Sequence, residues 1–66
     1  MKTIVNYWYE DLSQQTGYEK NQEIQEEEIP KVVMHIFSLG LNVMLHHNKN
    51  LNCNIIWVDD QVFRQR

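Results

Sequence analysis

Only one stretch of this sequence, Ile29 to Gly40, repeats its apolar residues at helical spacing, and that limits what the chain can build. At about 100° per residue, Ile29, Val32, Val33, Ile36, Phe37 and Leu39 cover an arc of about 160°, with Lys31, His35 and Ser38 on the opposite side. Pro30 falls in the first turn, where its missing N–H costs nothing. Glu26, Glu27 and Glu28 beside it complement the positive end of the helix dipole. Gly40 followed by Leu41 reads as a left-handed cap, so the helix is expected to end after about three turns. A helix that short covers one face of one sheet.

The flanking segments read as strands. Thr3 to Tyr9 is β-branched and aromatic. Leu12 to Gly17 is polar, ends in glycine and suits a loop. Tyr18 to Gln25 is ambiguous; a polar edge strand paired with the first is preferred over a helix running toward Pro30. After the helix, Leu41, Val43, Leu45 and His47 alternate with Asn42, Met44 and His46, and Asn48-Lys49-Asn50 supplies a tight turn. A further strand runs from about Leu51 to Val58. Asp59-Asp60 then reads as a second turn, and Gln61 to Gln65 as a short last strand. The expected architecture is a single α+β domain over residues 1–66: an antiparallel sheet of four or five strands, order β-β-α-β-β, with one helix on one face.

Size makes coverage the central question. A chain of 66 residues buries only about 60% of the surface it exposes when unfolded, so its core is thin. One cysteine cannot staple it internally, so dimerisation or partner binding is the expected support. The same lone Cys53, with no signal-peptide pattern ahead of it, points to a reducing cytoplasmic setting. No run approaches the ~18 apolar residues of a membrane span.

The strands are apolar on both faces. Val5, Tyr7 and Tyr9 oppose Ile4 and Trp8; Ile55 and Trp57 oppose Ile56 and Val58; taking Leu41, Val43 and Leu45 as core leaves Met44 and His46 outside. Such strands are normally covered on both sides, and one helix cannot do that. The second sheet face is therefore expected to be a contact surface, with Trp8, Met44, His46, Ile56 and Phe63 as its interaction residues. Charge supplies a second surface. Before Pro30, seven acids stand against Lys2 and Lys20, whereas the remainder is weakly basic. Glu19, Glu23, Glu26, Glu27 and Glu28 form an acidic segment suited to a basic groove, although a solvated surface would carry the same charges.

Chemistry finds little to work with. His46 and His47 point to opposite strand faces and cannot readily share a metal, and His47 with Cys53 across the hairpin makes two ligands, too few for zinc. Neither Ser13 nor Ser38 has a His and carboxylate at motif spacing. Asp59 and Asp60 with Glu10 or Asp11 could hold a divalent ion, but paired aspartates at a hairpin usually form turns. No metal, cofactor or catalytic residue is expected, and the chain is read as not an enzyme. Sheet aromatics could stack single-stranded nucleic acid, with Arg64 and Arg66 beside Phe63 the nearest approach to a basic patch. The acidic front half makes nucleic acid the lesser alternative.

In size, acidity, lack of a catalytic motif and two-sided apolar strands, the chain resembles the small accessory proteins that bacteriophages encode to bind and inhibit host enzymes or defence complexes. The resemblance implies a protein-binding inhibitor of the host cytoplasm, acting by surface contact and not by catalysis; the uncovered apolar face adds the expectation of a homodimer. Its partner would be a protein, such as a nucleic-acid enzyme with a basic groove.

Overall fold

The computed structural model describes residues 1–8 and 12–59. In chain order it forms β1 (Lys2–Tyr7), a single helical turn α1 (Ser13–Thr16), β2 (Gln22–Ile24), a 3-10 turn (Glu26–Glu28) running directly into α2 (Ile29–Ser38), then β3 (Asn42–Asn48) and β4 (Cys53–Asp59). The α+β class holds, but the sheet differs from expectation. It is mixed, with spatial order β2-β1-β4-β3. β1 and β4 run parallel at its centre, while the β1–β2 and β3–β4 pairs are antiparallel.

The composition of the strands explains this arrangement. β1 and β4 carry apolar residues on both faces, and such strands belong where neighbours lie on both sides. β2, with Gln22 and Glu23, and β3, with Asn42, His46, His47 and Asn48, are the polar strands and take the edges. To reach that order, the 3-10 turn and α2 must carry the chain from one edge of the sheet to the other, three strand spacings or about 14 Å. The proposed fifth strand at 61–65 lies outside the described residues, as do Phe63, Arg64, Arg66, Asp60, Glu10 and Asp11.

The helix ends as its sequence indicates. Gly40 has φ +82°, and Leu41 behind it is buried. The apolar stripe is narrower than expected. Val32 and Ile36 are buried and Ile29 and Val33 pack partly against the core, but Phe37 is 67% exposed and Leu39 is also exposed. An arc of 160° is wider than a helix lying on a small twisted sheet can bury, and the residues at its rim are left in solvent.

Three other segments depart from the sequence reading. The edge strand expected at 18–25 shrinks to three residues because Asn21 adopts a left-handed φ of +65°, turning the chain just before the ladder begins. The hairpin turn spans 49–52, with Asn52 also left-handed at φ +52° and the Leu51 N–H bonded to Asn48 Oδ1 at 3.0 Å, so β4 starts at Cys53 and not at Leu51. Asp59 closes β4 instead of opening a turn.

The polar segment at 12–17 is structured rather than a plain loop. Leu12 and Thr16 are both buried, and Gly17 caps α1 at φ +83°. Tyr7 anchors it: its hydroxyl donates to the Tyr18 carbonyl and lies 3.1 Å from Thr16 Oγ1, which in turn accepts from the Tyr18 N–H at 3.2 Å. His35 leans onto the same corner from α2, with Nε2 3.1 Å from the Thr16 carbonyl oxygen and its ring edge-on to Tyr18. Removing the buried Tyr7 hydroxyl takes one hydrogen bond from each of the Tyr18 carbonyl and Thr16 Oγ1, leaving Thr16 Oγ1 as the donor to the Tyr18 carbonyl at 3.3 Å. Tyr7→Phe is expected to cost about 1–2 kcal/mol in urea unfolding. An unchanged midpoint would show that the corner does not depend on it.

Candidate protein-interaction surface

The pairing register assigns every strand residue to a face. Thr3, Val5 and Tyr7 of β1 align with Asn54, Ile56 and Val58 of β4, and these with His47, Leu45 and Val43 of β3. This is the helix-covered face, and the core of Val5, Tyr7, Leu12, Ile24, Val32, Ile36, Leu41, Ile56 and Val58 is built on it. The other face has no helix among the described residues. Three rows cross it. One runs Glu23, Ile4, Ile55, His46 from β2 to β3; the second runs Asn6, Trp57, Met44; the third, at the other end, runs Lys2, Cys53, Asn48.

Trp8 follows β1, two residues beyond Asn6, and lies beside the second row. Its N–H continues the ladder to the Val58 carbonyl at 3.1 Å, and its indole stacks on Trp57 with centroids 5.5 Å apart and planes 13° from parallel. Offset stacking at that distance holds both rings flat. Ile55 and Cys53 are buried at the floor of this face, Ile4 and Trp57 are half-buried, and Trp8 and Met44 stand proud at 41% and 48% exposure. The result is a shallow apolar surface with two aromatic rings at its upper end.

The expected interaction residues divide on this geometry. Trp8, Met44 and His46 do share the open face. Ile56 does not: it is fully buried beneath α2, on the opposite side of β4 from Trp57. A strand's side chains alternate, so Ile56 cannot join its neighbour's face. Leu45 reverses expectation in the other direction. It lies on the helix side but on the edge strand, beyond the cover of α2, and is 50% exposed. Trp57 belongs to the surface and was absent from the expected set. Two-residue alternation groups it with Ile55, but only the β1–β4 pairing brings it beside Trp8.

The acidic residues Glu19, Glu23, Glu26, Glu27 and Glu28 are all exposed. Glu23 joins the open face opposite Ile4, Glu19 precedes β2, and Glu26 to Glu28 form the 3-10 turn after it, so the acids follow the β2 margin of the sheet. The β3 strand at the other margin carries His46 and His47 and no acid.

His46 and His47 fall on opposite faces, His47 Nδ1 lying 3.3 Å from Asn54 Oδ1. Cys53 pairs with Asn48 and faces away from His47, so those two do not meet across the hairpin. Among the described residues no three His, Cys, Asp or Glu side chains gather as a metal site, and no helix is long and apolar enough to cross a membrane.

Asp59 is the exceptional polar group. It ends the strand two residues beyond Trp57, is only 2% exposed, and its Oδ1 has no hydrogen-bond partner among the described residues. Burial without a partner is destabilising, and more so for a charged group than for a neutral one. Asp59→Asn is therefore expected to stabilise the fold by about 1 kcal/mol, raising the thermal midpoint by about 4–8 °C. A lower midpoint would mean that the carboxylate is satisfied after all.

Comparison with known families, curated proteins and solved structures returns no match to this chain.

Proposed function

We propose that the protein is a protein-binding module that works by surface contact, its open sheet face supplying an apolar centre and its β2 margin an acidic flank. The observation that carries this is the Trp8–Trp57 stack: two large rings, already ordered in the free chain, displayed beside Met44 on a face with no helix among the described residues. Tryptophan is among the residues that most often dominate binding energy, and rings held in place lose little entropy on docking. Glu19, Glu23 and Glu26 to Glu28 direct the module toward a partner with a basic groove beside an apolar patch. Inhibition of a nucleic-acid enzyme by occlusion, the mode that the phage-type resemblance implies, is one form of such binding.

Salt separates the two contributions. A partner held by both surfaces should associate more slowly as salt rises while a salt-resistant apolar component persists. Complete loss of binding at moderate salt would assign the contact to charge alone and remove the sheet face from the account.

The same Trp stack also favours a second reading, single-stranded nucleic-acid binding by base stacking. The acidic margin opposes it, since phosphate binding relies on clustered basic residues. Titrating oligonucleotides at low salt while recording tryptophan fluorescence decides the matter. The protein-binding reading expects no quenching; saturable quenching that salt reverses would favour nucleic acid.

A further inference from the structure

We propose that the chain forms a two-fold symmetric dimer by antiparallel pairing of β3 with β3 of a second copy, joining the two sheets into one. This goes beyond the partner-binding reading and does not rest on it, since it uses the sheet's edge and not its open face. β3 is an edge strand of seven residues whose one strand partner among the described residues is β4, so its outer backbone groups form an open ladder. Soluble proteins usually blunt such an edge with lysine, proline or a bulge. β3 has no lysine and no proline, its register to β4 is unbroken from Asn42 to Asn48, and at its midpoint Leu45 is half exposed.

Charge selects a second copy and selects this edge. Pairing through β2 would set Glu23 directly against its own copy over a strand of only three residues, which like-charge repulsion opposes. Pairing β2 with β3 would leave one edge of each kind free and build an open chain of molecules instead of a closed pair. Pairing β3 with β3 leaves both acidic margins at the far ends of an eight-stranded sheet. They are then seven strand spacings apart, about 34 Å, well beyond the screening length at physiological salt.

The sequence of β3 also suits itself. Antiparallel pairing centred on Leu45 uses all seven residues and places Leu45 on Leu45, Met44 on His46, Val43 on His47, and Asn42 on Asn48. No acid meets an acid, and the half-exposed leucines cover each other. The two open faces then lie on the same side, so the dimer presents the Trp8–Trp57 surface twice.

Cross-linking tests both the edge and the register. At a two-fold centred on residue 45, the two copies of that residue lie about 4.5–5.5 Å apart at Cα, within the span of a disulfide. In a Cys53→Ser background, Leu45→Cys should cross-link to a covalent dimer under mild oxidation, whereas Asn42→Cys should not. Leu45→Lys should sediment as a monomer with an unchanged circular dichroism spectrum. A monomeric native chain at every soluble concentration, or a dimer that survives Leu45→Lys while Leu45→Cys stays unlinked, would overturn the proposal.

Discussion

Replacing Ile56 with alanine should remove a large share of the fold's stability and move its unfolding to much lower urea. Its side chain is fully buried at the crossing of every layer: register places Val5 of β1 on one side and Leu45 of β3 on the other, and it belongs to the same core as Val32 and Ile36 of α2. Truncating a buried isoleucine costs about 2–5 kcal/mol in transfer and cavity terms together. A 66-residue domain has about 3–10 kcal/mol in total, so that loss is a large share of it. Urea unfolding followed by far-ultraviolet circular dichroism measures it. If Ile56→Ala unfolds at the native midpoint, the assignment of β4's faces is wrong, and Ile56 returns to the contact surface where the sequence alone places it.

Changing Trp8 to aspartate should do the reverse, leaving the fold nearly intact and abolishing partner binding. Trp8 lies beyond the end of β1, is 41% exposed and rests on Trp57 without entering the core cluster. Its loss removes about 0.5–1.5 kcal/mol of ring stacking, a modest cost to stability. Binding suffers more. Central tryptophans in interfaces are worth about 2 kcal/mol or more, a factor of about 30 in affinity, and a carboxylate placed there adds a desolvation penalty. Met44→Asp should follow the same pattern, because Met44 of β3 aligns directly with Trp57 of β4. Global unfolding of Trp8→Asp would instead mark Trp8 as structural.

Local signals in the sequence carried well into the structure where they depended on a few adjacent residues. Pro30, the three glutamates before it, the 29–38 periodicity and Gly40 located α2 and its cap, because each acts through backbone geometry within a turn or two. Strand alternation likewise separated Met44 and His46 from Val43, and Ile56 from Trp57.

What depended on long-range pairing was not legible. Nothing near residue 5 or residue 56 states that the first and last strands lie side by side in parallel; that follows from polar β2 and β3 both taking edges, a property of the whole sheet. Without it, Trp57 had no visible relation to Trp8, and Leu45 could not be seen to fall beyond the helix. The α1 corner was missed for a similar reason: Thr16 reads as a polar loop residue until the Tyr7 hydroxyl arrives from β1.

The central claim is that the open sheet face is a binding surface. Its most direct test is to use the native chain, Trp8→Asp and Met44→Asp in parallel as bait in extract of the cells that express the protein, with each variant's fold checked by circular dichroism. The account predicts at least one protein retained by the native chain in stoichiometric amount and lost from both folded variants. A retained set identical for all three would contradict it and leave the Trp8–Trp57 face without a partner.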